Sequence, residues 1–210
     1  MDLQLLGTKG SGSLIVETAL ILSKIPYVFI ETNYENPLHL ERLLKINPAG
    51  QIPTMVLPDG EILTESAAMI NYIQLIAPES NLIPIDIKLN TRYWRWICFL
   101  NASIYPTFNY GDEPSKWTNA ESAPLLRKST DEWRKKLWLQ MEAEACDDYF
   151  LGEFSGIDIY LAVMTSWRPR VKWFAQNCPK ISKIVHRVLE KPDLSRVMKD
   201  LRERFPEDLP

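Results

Sequence analysis

Two short stretches near the start of the chain combine polar side chains with a backbone suited to holding a peptide-like ligand. In Gln51-Ile52-Pro53, the proline cannot donate a ladder hydrogen bond, so it belongs at a sheet edge, at a strand start or in a cis turn. Glu65-Ser66 directly precedes an apolar run that predicts a helix, and the start of a helix attracts anions. A ligand whose main chain pairs with Ile52 can therefore place its carboxylate on Ser66.

Hydroxyl groups are concentrated in a second stretch, in which Thr8 precedes the turn Gly10-Ser11-Gly12-Ser13 and another predicted helix. Serine at a helix start is often only an N-cap, and this interpretation stays open for both serines. The glycine spacing also suggests a phosphate loop, but the lysine-serine ending of a P-loop and the spacing of a dinucleotide fingerprint are missing. A hydrolase triad has little support, because neither serine lies in a Gly-x-Ser-x-Gly elbow and both histidines are remote in sequence.

The composition of the chain is that of a globular protein and argues against several classes of partner. Its 210 residues, of which 46% are hydrophobic and 24% charged, are enough for one large or two small domains. The formal net charge of -3 leaves no footprint for nucleic acid or for an anionic membrane surface. No apolar run approaches the roughly 20 residues that span a bilayer, so we expect no membrane segment.

Cysteine and histidine usage predicts a cytoplasmic protein without a metal centre. Cys98, Cys146 and Cys178 are widely spaced and include no C-x-x-C pair, which favours free thiols in a reducing compartment. The N-terminus lacks the positively charged region of a secretory signal. His39 and His186 lie far apart with no metal-ligand spacing, so we expect no metal.

The hydrophobic pattern of the N-terminal part predicts a strand-helix-strand unit. Residues 3–6 and 27–31 are predicted strands, and the helix between them begins at Leu14 and ends at Ile25-Pro26. The second strand is apolar enough to be buried on both faces. The two strands of such a unit are parallel, and their connection is right-handed.

A further helix, a hairpin and a third helix complete this part. The predicted elements are a helix at residues 37–44, strands at 51–57 and 62–64, and the turn Pro58-Asp59-Gly60 between these strands. Ser66 or Thr64 can cap the third helix, which ends near Ala77-Pro78. The order β-α-β-α-β-β-α combines a parallel half with an antiparallel half, which is the thioredoxin-like pattern of an α/β fold.

Beyond a proline-punctuated linker at residues 78–87, strand signals disappear and an all-helical domain is predicted for residues 88–210. The predicted helices are 88–109, 120–149, a third that begins at Ser155 and ends at Arg168-Pro169, 179–190 and 194–205. Polar residues 111–119 separate the first two helices and are a candidate pocket rim. Ser155 and Asp158 have the spacing of a capping box. All seven tryptophans lie in this part and are interpreted as core residues rather than ligand contacts.

Together these motifs resemble the cytosolic glutathione transferase superfamily, and its bacterial-type members in particular. The resemblance is carried by Gln51-Ile52-Pro53 with Glu65-Ser66, by the linker into a helical domain, and by Ser155-x-x-Asp158. It implies a thioredoxin-like, glutathione-binding domain at residues 1–77 and a helical domain that lines a pocket for an electrophile. It also implies a homodimer.

The resemblance assigns roles to the first two stretches. It implies a cis peptide bond before Pro53 and pairing of the Ile52 backbone with the cysteinyl part of glutathione. Glu65 would meet the ammonium group of the γ-glutamyl end, and Ser66 with its amide would receive the carboxylate. Gln51 matches a position that touches the glycyl half.

The catalytic residue is the one that stabilises the ionised thiol of glutathione, because this thiol must ionise before it can attack. A free cysteine thiol has a pKa of about 8.5, and a hydrogen bond to a charged group contributes about 1.5–3 kcal/mol. The first turn has neither the tyrosine of the tyrosine-type classes nor a cysteine, since Gly12 stands at the cysteine position of the bacterial type. We therefore expect a serine-type site, with Ser11 preferred, then Ser13 and then Thr8.

The second substrate is expected to bind where the first long helix faces this turn. Tyr105, Pro106, Asn109 and Tyr110 are candidates for an electrophile pocket, and aromatic core packing is the alternative. The expected activity is the addition of glutathione, as co-substrate, to a small apolar electrophile. A non-catalytic binding protein of the same fold and a glutathione-dependent peroxidase or disulfide reductase are the alternatives.

Overall fold

A four-stranded mixed sheet forms the centre of the N-terminal part. The computed structural model describes residues 2–204, apart from the side chains of residues 198, 200 and 202–204. The strands are β1 (Gln4–Gly7), β2 (Val28–Glu31), β3 (Thr54–Val56) and β4 (Ile62–Leu63). They are ordered β2-β1-β3-β4, with β1 and β2 parallel and the other two pairs antiparallel. The predicted thioredoxin-like α/β pattern is therefore confirmed.

Three helices accompany the sheet, and the first of them is buried on all sides. They are α1 (Ser13–Leu22), α2 (Pro37–Ile46) and α3 (Ser66–Ile76). Every residue of α1 from Ser13 to Leu20 is buried, because this helix packs against β1, α3 and the helical part of the molecule. The turn that precedes α1 consequently lies between the two parts.

β2 is an edge strand, and the prediction that it is buried on both faces is wrong. Val28 is 46% exposed, and Glu31 is exposed as well. Among the described strands, β2 pairs with β1 alone, whereas β1 lies between two partners and its residues Leu5 and Leu6 are fully buried. The apolar run of β2 therefore reflects the preference of its residues for a half-buried pleated strand.

From residue 87 to the end of the described range, the regular structure is helical. The elements are α4 (Ile87–Phe99), a turn of π-helix (Leu100–Ile104), α5 (Tyr105–Asp112), α6 (Ala123–Glu144), α7 (Gly156–Met164), α8 (Val171–Asn177), α9 (Pro179–Leu189) and α10 (Ser195–Arg204). The predicted end of the last helix at residue 205 lies outside the described residues. Between residues 2 and 204, none of the helices combines the length and the apolar character that a membrane span requires.

The first long helix continues further than predicted. It passes through the π-helical turn and ends at Asp112, so Gly111 lies inside α5 rather than in a polar break. A side chain at Gly111 would overlap the Thr130 hydroxyl of α6. Glycine at this position therefore allows α5 and α6 to approach closely.

The segment between α6 and α7 is organised by a buried carboxylate. α6 ends at Glu144 rather than at residue 149, because the chain turns there. The Asp158 carboxylate accepts hydrogen bonds from the backbone N–H groups of Ser155 and Phe150, both at 2.8 Å. The predicted capping box of Ser155 and Asp158 is confirmed, and both residues are fully buried. It joins the turn after α6 to the start of α7.

Candidate functional site

A cleft of about 870 Å³ lies between the sheet and the helical part. On the sheet side it is lined by the turn after β1, the loop before β3 and the start of α3. On the other side it is lined by α5, by the first turns of α6 and by the segment between α7 and α8. The five sequence-predicted binding residues that line it are Gln51, Ile52, Pro53, Glu65 and Ser66. The fold thus brings the two stretches into one pocket.

The loop before β3 presents its backbone to this cleft. The Ile52-Pro53 peptide bond is cis, as the resemblance implied. The Gln51 carbonyl accepts a hydrogen bond from Asn47 Nδ2 at 3.0 Å, which helps to fix the loop. The Ile52 N–H donates to the Tyr34 hydroxyl at 3.2 Å. The Tyr34 hydroxyl, which was not predicted from the sequence, therefore accepts the hydrogen bond from the Ile52 backbone that the resemblance assigned to the ligand.

The start of α3 has an unusual backbone conformation. Glu65 is the N-cap residue and has φ 64° and ψ 111°, a left-handed conformation that L-residues rarely adopt. Such a residue costs of order 1–3 kcal/mol and is typical of functional sites. Within residues 2–204, no side chain caps α3, so the prediction that Thr64 or Ser66 does so is wrong. A helix start without a side-chain cap is a site for an anion.

Ser66 is held by a tyrosine of the helical part. Its hydroxyl lies 2.6 Å from the Tyr160 hydroxyl on α7. Burial raises the pKa of Tyr160 to about 12, although hydrogen bonds with Ser66 and Asn101 oppose this shift. Tyr160 is therefore a neutral hydroxyl that positions Ser66 at the boundary of the two parts. The sequence carries no signal for this contact, because the two residues are far apart along the chain.

In the turn before α1, the two serines that the sequence offers as alternative catalytic residues lie in different environments. Ser13 is fully buried, its hydroxyl accepts the Thr8 N–H at 3.1 Å, and it is not among the residues that line the cleft. Ser11 lines the cleft, and its Oγ lies 2.8 Å from that of Ser13. Gly12, rather than a serine, is the N-cap residue of α1. Thr8 also lines the cleft, but its hydroxyl donates to the Glu31 carboxylate at 2.5 Å.

Tyr105 brings a further hydroxyl to this turn from the helical part. A side chain at Gly12 would overlap the Tyr105 hydroxyl. The Tyr105 ring packs edge-on against Trp167 with centroids 5.7 Å apart, and Trp167 Nε1 donates to the Gly10 carbonyl at 3.1 Å. Burial raises the pKa of Tyr105, and the nearby Tyr160 raises it further. Tyr105 is therefore a protonated hydrogen-bond donor beside the start of α1.

Only one face of α5 contributes to the cleft. Of the residues selected for the electrophile pocket, Tyr105 and Asn109 line the cleft, whereas Pro106 and Tyr110 are not among its lining residues. Residues three, four and seven positions after Tyr105 share its helical face. Tyr110 lies on another face and packs edge-on against Trp117, with centroids 4.8 Å apart. The structure therefore places Tyr110 outside the cleft.

Three arginines that sequence reasoning missed line the helical side of the cleft: Arg127, Arg168 and Arg170. Arg127 donates to the Asp112 carbonyl at 2.6 Å. Arg168 pairs with the Asp112 carboxylate and donates to the Gly111 carbonyl at 3.2 Å. These arginines belong to α6 and to the segment after α7, so no local sequence motif predicts that they lie close together.

Comparisons with known sequences agree on one family. Residues 13–75 match the family model for the N-terminal domain of glutathione S-transferase. The chain is 34% identical over 198 residues to the uncharacterized GST-like protein YncG of Escherichia coli K12, covering 92% of this chain and 95% of that protein. It is 26% identical over 151 residues to the glutathione S-transferase GstA of Escherichia coli O157:H7, covering 71% and 73% of the two chains.

Solved structures share the fold over most of the chain. A glutathione transferase homolog from Sulfitobacter with bound glutathione has a TM-score of 0.81 at 23% identity, covering 94% of this chain and 97% of that one. A sphingomonad glutathione S-transferase complexed with glutathione has a TM-score of 0.76 at 24% identity, covering 94% and 98%. The sheet with its cis-proline loop, followed by helices, defines a thioredoxin-like protein with a helical second part. The chain belongs to the cytosolic glutathione transferase superfamily.

Proposed function

We propose that this protein is a glutathione transferase that binds glutathione in the cleft and activates its thiol for attack on a second substrate. The proposal is carried by the convergence of Ile52, Ser66 and Ser11 on one cleft. Ile52 has backbone groups for the cysteinyl part, and the uncapped start of α3 with Ser66 suits the γ-glutamyl carboxylate. Glu65 suits the ammonium group, and Gln51 lies beside Ile52 for the glycyl half. Named relatives and solved structures that contain glutathione support this assignment.

The hydroxyls of Ser11 and Tyr105 are the proposed donors to the thiolate. Lowering the pKa of the thiol by two units requires about 2.7 kcal/mol, and a hydrogen bond to a charged group contributes about 1.5–3 kcal/mol. The start of α1 adds about 0.3–2 kcal/mol through its dipole. Ser11 Oγ donates to the Thr8 carbonyl at 2.8 Å, and this hydroxyl has to leave that bond and rotate in order to donate to the sulfur. Tyr105 stands beside Gly12, the position that matches the cysteine of the bacterial type.

The nucleophile in this proposal is the sulfur of glutathione itself. Among the described residues that line the cleft there is no cysteine, so no enzyme thiol is assigned to a mixed disulfide with glutathione. The protein contributes a bound orientation of the thiolate and its stabilisation. The thiol proton leaves to solvent, and a bond forms between this sulfur and an electrophilic atom of the second substrate. In a substitution the bond to the leaving group breaks, as when chlorodinitrobenzene releases chloride, and in an addition the π bond opens and its carbon takes up a proton from solvent.

The proposed assembly is a cytoplasmic homodimer, built from domains at residues 1–77 and 88–210 with a linker at 78–87. Leu75, Ile85 and Ile87 are 68%, 86% and 84% exposed, and such apolar side chains are candidates for cover by a second copy. The three cysteines are free, as is usual in a reducing compartment. Size-exclusion chromatography with light scattering measures the number of copies, and a monomer would contradict this assembly.

Retention on immobilised glutathione, followed by conjugation of chlorodinitrobenzene, tests the proposed function. We expect the protein to be retained, to be eluted by free glutathione and to form the conjugate. A protein that is neither retained nor active contradicts the proposal. A protein that binds glutathione and stabilises no thiolate, as measured by ultraviolet difference spectra, is instead the non-catalytic binding protein.

A further inference from the structure

One arginine of α6 is buried behind the helical wall of the cleft. The Arg134 side chain is only 1% exposed, and it pairs with the Asp131 carboxylate at 2.8 Å. Desolvation offsets most of the attraction in a buried ion pair, so such a pair is a weak source of stability. An arginine at this position is therefore better explained by the geometry that its contacts impose.

The guanidinium group of Arg134 forms hydrogen bonds with three segments of the chain. Nε donates to the Thr107 hydroxyl at 2.8 Å, and one terminal nitrogen donates to the Thr107 carbonyl at 2.7 Å. The other terminal nitrogen donates to Asp131 at 2.8 Å and to the Arg168 carbonyl at 3.4 Å. Gly111 allows this arrangement, because a side chain there would come within 3.3 Å of the guanidinium group. Arg134 thus fastens α5 and the segment after α7 to α6 at one point.

Phe108 connects Arg134 with the cleft. The guanidinium carbon lies 3.9 Å from the centre of the Phe108 ring, in a cation–π contact. The same ring packs edge-on against Trp167 with centroids 5.2 Å apart, and its centroid lies 6.3 Å from that of Tyr105. Phe108 lines the cleft and is only 5% exposed. The guanidinium group therefore supports a cluster of three aromatic rings from behind.

This aromatic cluster, which consists of Tyr105, Phe108 and Trp167, contacts the turn before α1. Trp167 Nε1 donates to the Gly10 carbonyl, and the Tyr105 hydroxyl lies where a side chain at Gly12 would be. Because the three rings are closely packed, none of them can move without displacing the others. The position of the Tyr105 hydroxyl thus depends on how firmly the guanidinium group holds Phe108 and the backbone beside Trp167.

We infer that Arg134 is a positioning residue, which holds the aromatic cluster so that the Tyr105 hydroxyl can donate to the thiolate of glutathione. This inference rests on the proposed glutathione transferase function, in which Tyr105 is a donor to the sulfur. A hydrogen bond to a charged group changes a pKa by about one to two units. Loss of the alignment should therefore raise the pKa of the bound thiol by about one unit.

The affinity for glutathione should hardly depend on Arg134. The proposed subsites at Ile52 and Ser66 lie on the sheet side of the cleft, away from α6. At about pH 5.5, where the bound thiol stays protonated, substitution of Arg134 should change this affinity by less than about twofold. A raised thiol pKa with unchanged affinity distinguishes positioning of the donor from a general disturbance of the site.

Ultraviolet difference titration of bound glutathione in a double-mutant cycle tests the inference without a second substrate. Arg134→Gln removes the charge and the planar fork of donors, whereas Arg134→Lys keeps the charge without the fork. We expect both variants to raise the pKa of the bound thiol by about one unit, and neither to raise it further in a Tyr105→Phe background. The control for lost stability is Met141→Ala, at a fully buried position about two turns further along α6. It should leave the thiol pKa unchanged.

A milder pair of variants tests the same contact, because removal of one partner from a buried ion pair is strongly destabilising. Thr107→Val removes the hydroxyl that accepts from Arg134 Nε and keeps the shape of the side chain, whereas Thr107→Ser keeps the hydroxyl. We expect Thr107→Val to raise the pKa of the bound thiol by about half a unit, and Thr107→Ser to leave it unchanged. Equal thiol pKa values in these two variants overturn the inference.

The outcomes separate the inference from the function on which it rests. An unchanged thiol pKa in the Arg134 variants or in Tyr105→Phe overturns the inference and leaves glutathione activation intact, as does a rise that persists in the Tyr105→Phe background. A low pKa in Arg134→Lys also overturns it, because the charge rather than the fork would then act on the sulfur. A rise of equal size in Met141→Ala assigns the effect to lost stability and overturns it too. Failure of the unsubstituted protein to bind glutathione, or to lower its thiol pKa, overturns the proposed function and the inference together.

Discussion

The hydroxyl of Tyr105 occupies the space that a side chain at Gly12 would fill. Gly12 has φ -58°, which any L-residue adopts, so this contact rather than backbone freedom requires glycine. Tyr105 belongs to the helical part, and Gly12 belongs to the turn after β1. A residue from the second part of the molecule therefore completes the turn at which the thiolate is proposed to bind.

Gly12→Ala should destabilise the protein because its methyl group displaces the Tyr105 hydroxyl. We expect a loss of about 1–3 kcal/mol in the free energy of unfolding, as for other overpacked sites. In a Tyr105→Phe background the clash disappears, since the nearest ring atom lies at an ordinary 3.4 Å from the new carbon. The same substitution should then cost less than about 0.5 kcal/mol. Denaturant unfolding of the unsubstituted protein, the two single variants and the double variant measures both costs. An equal cost of Gly12→Ala in the two backgrounds would contradict this prediction.

Ser11→Ala and Ser13→Ala should affect different properties. Ser11→Ala removes the proposed donor to sulfur, so kcat/KM should fall about 10- to 100-fold as the pKa of the bound thiol rises. Ser13→Ala leaves the partly buried Thr8 N–H without its acceptor, so it should cost about 0.5–1.5 kcal/mol of stability. Titration of the bound thiolate and denaturant unfolding measure the two effects. A raised thiol pKa in Ser13→Ala alone would assign the catalytic hydroxyl to the other serine.

Tyr34→Phe should strengthen the binding of glutathione. The Tyr34 hydroxyl accepts the Ile52 N–H, and a ligand that pairs with Ile52 must replace this bond. A net hydrogen bond is worth about 0.5–1.5 kcal/mol, so affinity should rise about two- to tenfold. Tyr110→Phe, outside the cleft, is the matched control for calorimetry. Weaker binding in Tyr34→Phe would mean that this hydroxyl contacts glutathione directly.

The buried capping box should make stability depend on pH. Burial raises the pKa of Asp158 from 3.8 to about 6, against the opposing effect of its hydrogen bonds to Phe150 and Ser155. The folded state therefore binds the proton more tightly than the unfolded state, and the stability contributed below pH 4 is lost as pH rises through about 6. The loss amounts to about 3 kcal/mol at 1.36 kcal/mol per unit of pKa.

Denaturant unfolding from pH 4 to pH 7 checks this prediction by comparison of the protein with Asp158→Asn. As pH rises to about 6, the free energy of unfolding of the unsubstituted protein should fall relative to that of Asp158→Asn. Above this pH the difference between the two should be constant. The asparagine variant keeps a side-chain oxygen acceptor and cannot titrate. A difference that does not change with pH would contradict the raised pKa of Asp158.

Much of the fold could be predicted because it is encoded in short stretches. The hairpin, its turn and the capping box of Ser155 and Asp158 each depend on residues a few positions apart, whose backbone preferences act locally. The burial of β2 and the ends of α5 and α6 could not be predicted in this way. They depend on which neighbours cover a strand or helix, as the contact of Gly111 with Thr130 illustrates.

In the candidate site too, local features could be predicted from the sequence, whereas contacts between distant residues could not. The polar start of α3 and the hydroxyl-rich first turn could be predicted from the sequence, because each is a local pattern. The cis bond at Ile52-Pro53 was implied by the resemblance of this local motif to a known family. The positions of Ser11 on the cleft, of Tyr105 over Gly12 and of three arginines on the opposite wall follow from the packing of the folded chain. Close packing of distant segments leaves room for only some of the side chains that a sequence brings near a site.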